Sequence, residues 1–207
     1  MQPTPVKRPT CLRCLRPQRS CICGWITPIE HAADLLILQH PLEVGNAKGS
    51  VRLLQLSLAR SEVLVGEVFA QQAMQALLQT PGARYTILLY PDSPEDQGLN
   101  LAPPQQLEQA RLLDPSQVRL IVLDGTWRKS RKMLYLNPLL QQLPRLSLRD
   151  TPASRYLIRK AHSPGQLSTL EATCYALMQL EQNEEKYQPL LTAFSGFVGQ
   201  QLVYEKR

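Results

Sequence analysis

No stretch of the 207-residue chain approaches the ~20 consecutive apolar residues that cross a bilayer, and its amino terminus holds no apolar signal core. Neither a membrane span nor a secretory leader is expected, so the chain is expected in the cytoplasm. Glycine is sparse, ten residues in all, and nowhere forms the phosphate loop of a nucleotide hydrolase or the dinucleotide-binding fingerprint. Aromatic residues make up only 6% of the chain, but 43% of it is hydrophobic, enough for a sizeable core, which argues against disorder. One domain with a small appendage is expected. Acidic residues are missing from two regions. None precedes Glu30, although Lys7, Arg8, Arg13, Arg16 and Arg19 do, and between Arg128 and Lys160 nine cations face Asp150 alone. With a net charge of +6 and a pI near 9.2, that distribution suits a nucleic acid as well as it suits an ordinary solvated basic surface.

What the chain does have is VRLIVLDGTWRKSRK, residues 118–132. Leu120, Ile121, Val122 and Leu123 run without polar alternation, as in a strand buried on both faces of a parallel sheet. Open α/β sheets bind ligands beyond the carboxyl ends of their strands, and there the chain places Asp124, Gly125, Thr126 and Trp127. Arg128, Lys129, Arg131 and Lys132 follow on the first turns of an expected helix. An acid with an aromatic neighbour beside a basic surface suggests a site that meets a nucleic acid.

Near the amino terminus stands CLRCLRPQRSCICGW, with Cys11, Cys14, Cys21 and Cys23 in the spacing C-x2-C-x6-C-x-C. Four thiolates this close can close a tetrahedral shell around zinc, and the interleaved arginines offset the cluster's negative charge. A closed four-cysteine shell leaves no open position for catalysis, so the role expected is structural; redox chemistry and accidental clustering are the alternatives. In a cytoplasmic chain disulfides are the weaker explanation. Cys174 sits inside an apolar helical pattern and reads as core.

In chain order, residues 1–10 are proline-rich and expected to be flexible, residues 11–30 form the cysteine module, and residues 31–207 form the main domain. Strands are expected over 34–39, near 62–65, over 85–90 and over 145–148, and helices over 51–60, 68–79, 103–113, from Met133 through Leu140, from Ser168 onward and over 189–204. Pro138 should bend or end the helix it interrupts. This alternation indicates an α/β domain with a mostly parallel sheet flanked by helices. His40, before Pro41, is a structural residue or a base. Lys48-Gly49-Ser50 is a helix cap or an anion site. Ser168 and Glu171 fit a capping box, with or without a small polar ligand.

LDGTWRKSRKM, followed by SRYLIRKA and STLEA and preceded by the cysteine cluster and HPLE, resembles the DTW-domain family of tRNA-uridine aminocarboxypropyltransferases. The likeness runs from about Cys11 to the helix after Glu171, and Asp124, Thr126 and Trp127 are the namesake residues. It implies a SPOUT-like, knotted α/β fold that binds S-adenosylmethionine. The implied reaction transfers the 3-amino-3-carboxypropyl group to N3 of a tRNA uridine, in the variable loop in similar bacterial proteins. Two positions depart from the family's usual pattern, Arg128 after Trp127 and Ser50.

On that resemblance, Asp124, Thr126 and Trp127 are the candidate catalytic residues. N3 of uracil must lose its proton to attack carbon, which needs a positioned base; Asp124 is the candidate, or else an electrostatic partner of the donor's sulfonium. Trp127 would stack on the target base or plug the core, and Thr126 would bond the base or the donor. Donor contacts are expected from Leu89, Tyr90, Leu123, Gly125, Ser154, Arg155, Tyr156, Ser168, Thr169 and Glu171, with Arg155 suited equally to a carboxylate or a phosphate. Contacts to tRNA are expected from Arg128, Lys129, Arg131, Lys132, Arg159 and Lys160, helped by the basic cysteine module. The alternatives are a SPOUT-like RNA methyltransferase and a non-catalytic zinc-containing RNA-binding protein. A monomer and a homodimer are both compatible with the sequence.

Overall fold

The structure is a computed structural model that describes residues 9–79, 84–91, 101–149, 152 and 167–205. Among the described residues five strands, β1 (Asp34–Gln39), β2 (Ser61–Val65), β3 (Tyr85–Leu89), β4 (Val118–Asp124) and β5 (Arg145–Leu146), form one sheet in the order β2-β1-β4-β3-β5. Every pairing is parallel. The helices are α1 (Val51–Ser57), α2 (Gln71–Gln79), α3 (Trp127–Leu136), α4 (Pro138–Gln141), α5 (Thr169–Glu181) and α6 (Gln188–Glu205).

The apolar runs explain this architecture. β1 and β4 are almost wholly buried, as central strands of a parallel sheet must be, whereas the edge strand β2 is half-buried to exposed throughout. Side chains leave a strand to opposite faces in turn, so each run supplies two cores. Leu35, Ile37, Leu120 and Val122 pack with α1, α5 and α6 on one face. Leu36, Leu38, Ile121 and Leu123 pack with Met74, Met133, Leu134 and Leu140 on the other. Cys174 is fully buried in the first core, as its helical pattern indicates.

The cysteine module shares that first core. Cys14 and Ile22 are buried in it, the Trp25 indole donates to Gln200 Oε1 at 2.5 Å, and Gln200 Nε2 returns a bond to Cys21 O at 3.1 Å. Gly196 lets the indole approach α6: a Cβ there would lie 2.2 Å from the Trp25 ring. The Arg16 and Arg52 guanidinium groups tie the module to the other side, donating to Gly49 O at 2.8 Å and Arg13 O at 2.6 Å.

The strand expected over 145–148 is shorter, Arg145–Leu146, and three further elements differ from expectation for physical reasons. Residues 103–113 form no α-helix, only a 3-10 turn over Gln109–Leu112. Two prolines remove amide donors, and the amides of Ala102, Gln105 and Glu108 bond instead to Gln141 Oε1, Gln142 O and the Tyr85 hydroxyl. α1 stops at Ser57 because Leu58 turns extended and bridges Ile29. α2 starts at Gln71 because the Phe69 amide is taken by Asn137 Oδ1 at 2.9 Å. Pro138 ends one helix and opens the next, where its missing N–H costs nothing. No helix among the described residues is long and apolar enough to cross a membrane.

Candidate active site and cysteine cluster

After β1 the chain moves outward to β2; after β4 it crosses β3 to reach β5 at the opposite edge. The switch in direction falls between β1 and β4, whose carboxyl ends lie side by side with Gln39 opposite Asp124. A parallel sheet opens a crevice at such a point. The Asp124 carboxylate lies there, 7% exposed. Gln39 Nε2 donates to Oδ2 at 3.0 Å and Thr169 Oγ1 to Oδ1 at 2.6 Å, while its main-chain oxygen accepts from the His40 amide at 2.9 Å. Two donors on one buried carboxylate hold it in a single orientation.

Thr169 reaches Asp124 because α5 begins there. Ser168 is its N-cap and accepts from the Glu171 amide at 3.2 Å, and Glu171 Oε2 accepts from the Ser168 amide at 2.8 Å. This is the capping box read from the sequence. It occupies Ser168 and the 2%-exposed Glu171 within the protein, leaving Thr169 as the member of the trio that faces Asp124.

Trp127 opens α3 and stacks on Tyr90 with ring centroids 5.3 Å apart and planes 18° apart. The Arg145 guanidinium lies 5.2 Å from the Tyr90 centroid, so a buried tyrosine and a cation back the half-buried indole. Thr126 caps α3, its hydroxyl accepting from the Lys129 amide at 3.4 Å. Gly125 is packed under α3, where a Cβ would stand 3.0 Å from Lys129 Cβ. Leu89 is the last residue of β3 and Leu123 the last but one of β4, Leu123 buried and Leu89 half-buried. Both ring nitrogens of His40 are engaged: Nδ1 accepts from the Leu42 amide at 3.1 Å and Nε2 meets Glu67 Oε1 at 2.9 Å.

The cations of α3 divide. Lys129 Nζ pairs with Glu43 at 2.8 Å and Lys132 Nζ with Glu67 at 2.9 Å, and the Lys132 ammonium, followed by His40, holds the Glu67 carboxyl below its ordinary range. Arg128 is exposed and Arg131 half-buried. The sequence assigns no role to Glu43, Glu67 or Gln39: Glu43 enters it only as the last residue of HPLE, Gln39 only as the end of an expected strand, and Glu67 not at all. Ser154, Arg155, Tyr156, Arg159 and Lys160 lie outside the described residues.

The four sulfur atoms of Cys11, Cys14, Cys21 and Cys23 all lie within 4.8 Å of one another, with Cys11 and Cys23 at 3.6 Å and Cys14 and Cys21 at 3.7 Å. No disulfide joins them. A tetrahedral zinc with bonds of about 2.3 Å holds its sulfurs about 3.8 Å apart, so the cluster fits. The thiols also compete: the amides of Cys14 and Arg13 draw Cys11 down to about 6, while burial and the neighbouring sulfurs push Cys23 up to about 12. A bound dication would resolve that conflict by letting all four ionise.

Together these features define an α/β protein with a parallel sheet, a clamped carboxylate at the sheet's switch point and a four-thiol site able to hold a metal ion. The DTW domain family matches residues 8–202, and the chain belongs to that family. It is 30% identical over 200 residues to tRNA-uridine aminocarboxypropyltransferase 2 of Macaca fascicularis and 31% identical over 201 residues to that of Mus musculus, each covering 95% of this chain and 64% of the relative. A plant relative, tRNA-uridine aminocarboxypropyltransferase A of Arabidopsis thaliana, is 28% identical over 138 residues, 62% of this chain and 51% of its own. The chain thus spans about 64% of the length of the mammalian relatives. No solved structure matches it.

Proposed function

We propose that the chain is a tRNA-uridine aminocarboxypropyltransferase with a SPOUT-like, knotted fold. It moves the 3-amino-3-carboxypropyl group of S-adenosylmethionine to N3 of a tRNA uridine, in the variable loop, and releases methylthioadenosine. The observation that carries the reading is the Asp124 carboxylate, clamped by Gln39 and Thr169 at the switch point beside a tyrosine-backed tryptophan, in a member of the DTW family. The relatives' names and the all-parallel sheet with helices on both faces support it.

S-adenosylmethionine supplies a carbon made electrophilic by its sulfonium; N3 gains that carbon as the carbon–sulfur bond breaks, and the N3 proton must leave. Asp124 takes that proton, since carboxylates are ordinarily ionised at neutral pH and this one cannot rotate away from its two donors. Trp127 stacks on the uracil, its plane set by Tyr90 and Arg145. Leu89, Tyr90, Leu123, Gly125 and the Ser168–Glu171 turn form the donor's surroundings, joined by Ser154, Arg155 and Tyr156. Arg128, Lys129, Arg131, Lys132, Arg159 and Lys160 face tRNA phosphates, Lys129 and Lys132 exchanging carboxylate partners for them. Cys11, Cys14, Cys21 and Cys23 hold a structural zinc.

Nucleoside mass spectrometry of unmodified tRNA incubated with the protein and S-adenosylmethionine tests this. An aminocarboxypropyl uridine with methylthioadenosine released, and none with Asp124→Asn, is expected. A methylated nucleoside, or no product from a full tRNA pool, would refute it.

A further inference from the structure

A cleft of about 1030 Å³ opens between the cysteine module, the 43–49 segment, α1 and the last turns of α6. It lies at the upper end of the size of ligand sites, roughly 300–1,000 Å³. Glu43, the one carboxylate lining it among the described residues, is bound by Lys129 at 2.8 Å. Of its arginines, Arg52 is held by neutral acceptors, Gln55 Oε1 at 2.9 Å and Arg13 O at 2.6 Å, and Arg19 is exposed. The wall is therefore cationic. Gln201, also in the wall, is 5% exposed, and its Nε2 has no hydrogen-bond partner among the described residues. A buried amide left unmatched is costly unless something else completes it. Leu15 and Val44, 65% and 53% exposed, give the same cleft an apolar edge.

Cations, an unmatched amide and exposed aliphatic groups together match an unstacked nucleotide, which offers phosphate, base edge and an apolar face. Duplex RNA keeps its base faces stacked and its Watson–Crick edges paired, and fits poorly. The cleft also meets the Asp124 site, because Gln39 lines it and bonds Asp124 at 3.0 Å. We infer that this cleft holds an unpaired nucleotide next to the target uridine, with Gln201 on its base edge and Arg19 and Arg52 on its phosphates. The inference rests on the RNA substrate proposed above and adds a second subsite to it.

The test is fluorescence anisotropy with a fluorescein-labelled oligouridine octamer and a blunt RNA duplex of equal length, on wild type, Gln201→Leu and Arg19→Ala. The octamer should bind more tightly than the duplex. Gln201→Leu should weaken octamer binding about tenfold, the equivalent of one lost hydrogen bond, without lowering the melting temperature. Arg19→Ala, at an exposed position safe for folding, should reduce the slope of log affinity against log salt by about 0.7. Unchanged affinity and slope in both variants would overturn the subsite even if the wild type modifies tRNA. Conversely, variants that lose octamer binding while the wild type yields no aminocarboxypropyl uridine would support the subsite and sink the enzymatic reading. Tighter, variant-sensitive binding of an acidic peptide would overturn the nucleotide in favour of a protein partner.

Discussion

Thr169→Val separates a clamped carboxylate from a merely nearby one. The substitution keeps the shape of the side chain at the first position of α5 and removes a 2.6 Å hydrogen bond to Asp124 Oδ1. With Asp124 only 7% exposed, bulk water has little access to replace the donor. Hydrogen bonds to charged groups contribute about 1.5–3 kcal/mol, so if the bond holds Asp124 for proton removal, kcat/KM should fall roughly 10- to 150-fold. Initial rates of methylthioadenosine release with a tRNA transcript measure this, and a melting curve checks the fold. Thr169→Ser should restore most of the rate, because it returns the hydroxyl. A loss under threefold in a well-folded Thr169→Val protein would refute the clamp.

Two further outcomes follow from other parts of the molecule. Cys23→Ser, or prolonged chelation, should remove one metal ion per chain by elemental analysis; because Ile22 and Trp25 belong to the shared core, loosening the module should cost roughly 3 kcal/mol, about 6–12 °C in Tm. An unchanged Tm after complete metal loss would contradict that coupling. His31 sets a pH dependence: buried, with Nδ1 donating to Ala33 O at 2.8 Å and Nε2 accepting from the Arg60 amide at 3.1 Å, it is held neutral, and burial lowers its pKa. Its contribution is complete above the ordinary histidine value of about 6.5, where both folded and unfolded states are neutral. As pH falls below that value the unfolded chain takes the proton first, so Tm should drop towards pH 5, and His31→Gln should flatten this part of the profile.

Much of the scaffold was legible in the residues because its signals are local. The run Leu120–Leu123 marks a strand buried on both faces, DLLILQ and YTILLY repeat the pattern, and Ser168 with Glu171 carries a cap within a single turn. The four-cysteine spacing falls in the same class, since thirteen residues of chain keep the sulfurs close in almost any fold. Residues 101–108 escaped for the opposite reason: their amides bond to groups on distant elements, and no local pattern records those partners.

The sequence by itself determined the strands, the carboxylate at the end of β4, the indole that follows it and the thiol cluster. Tertiary structure alone decided what surrounds them. Gln39 and Thr169 reach Asp124 from 85 and 45 residues away, and Lys129 and Lys132 find Glu43 and Glu67 across similar separations. Those meetings depend on strand order. With β1 beside β4 and α5 returning to the same crevice, an amide and a hydroxyl converge on one acid; a different order of the same strands would leave each local pattern intact and the carboxylate unclamped.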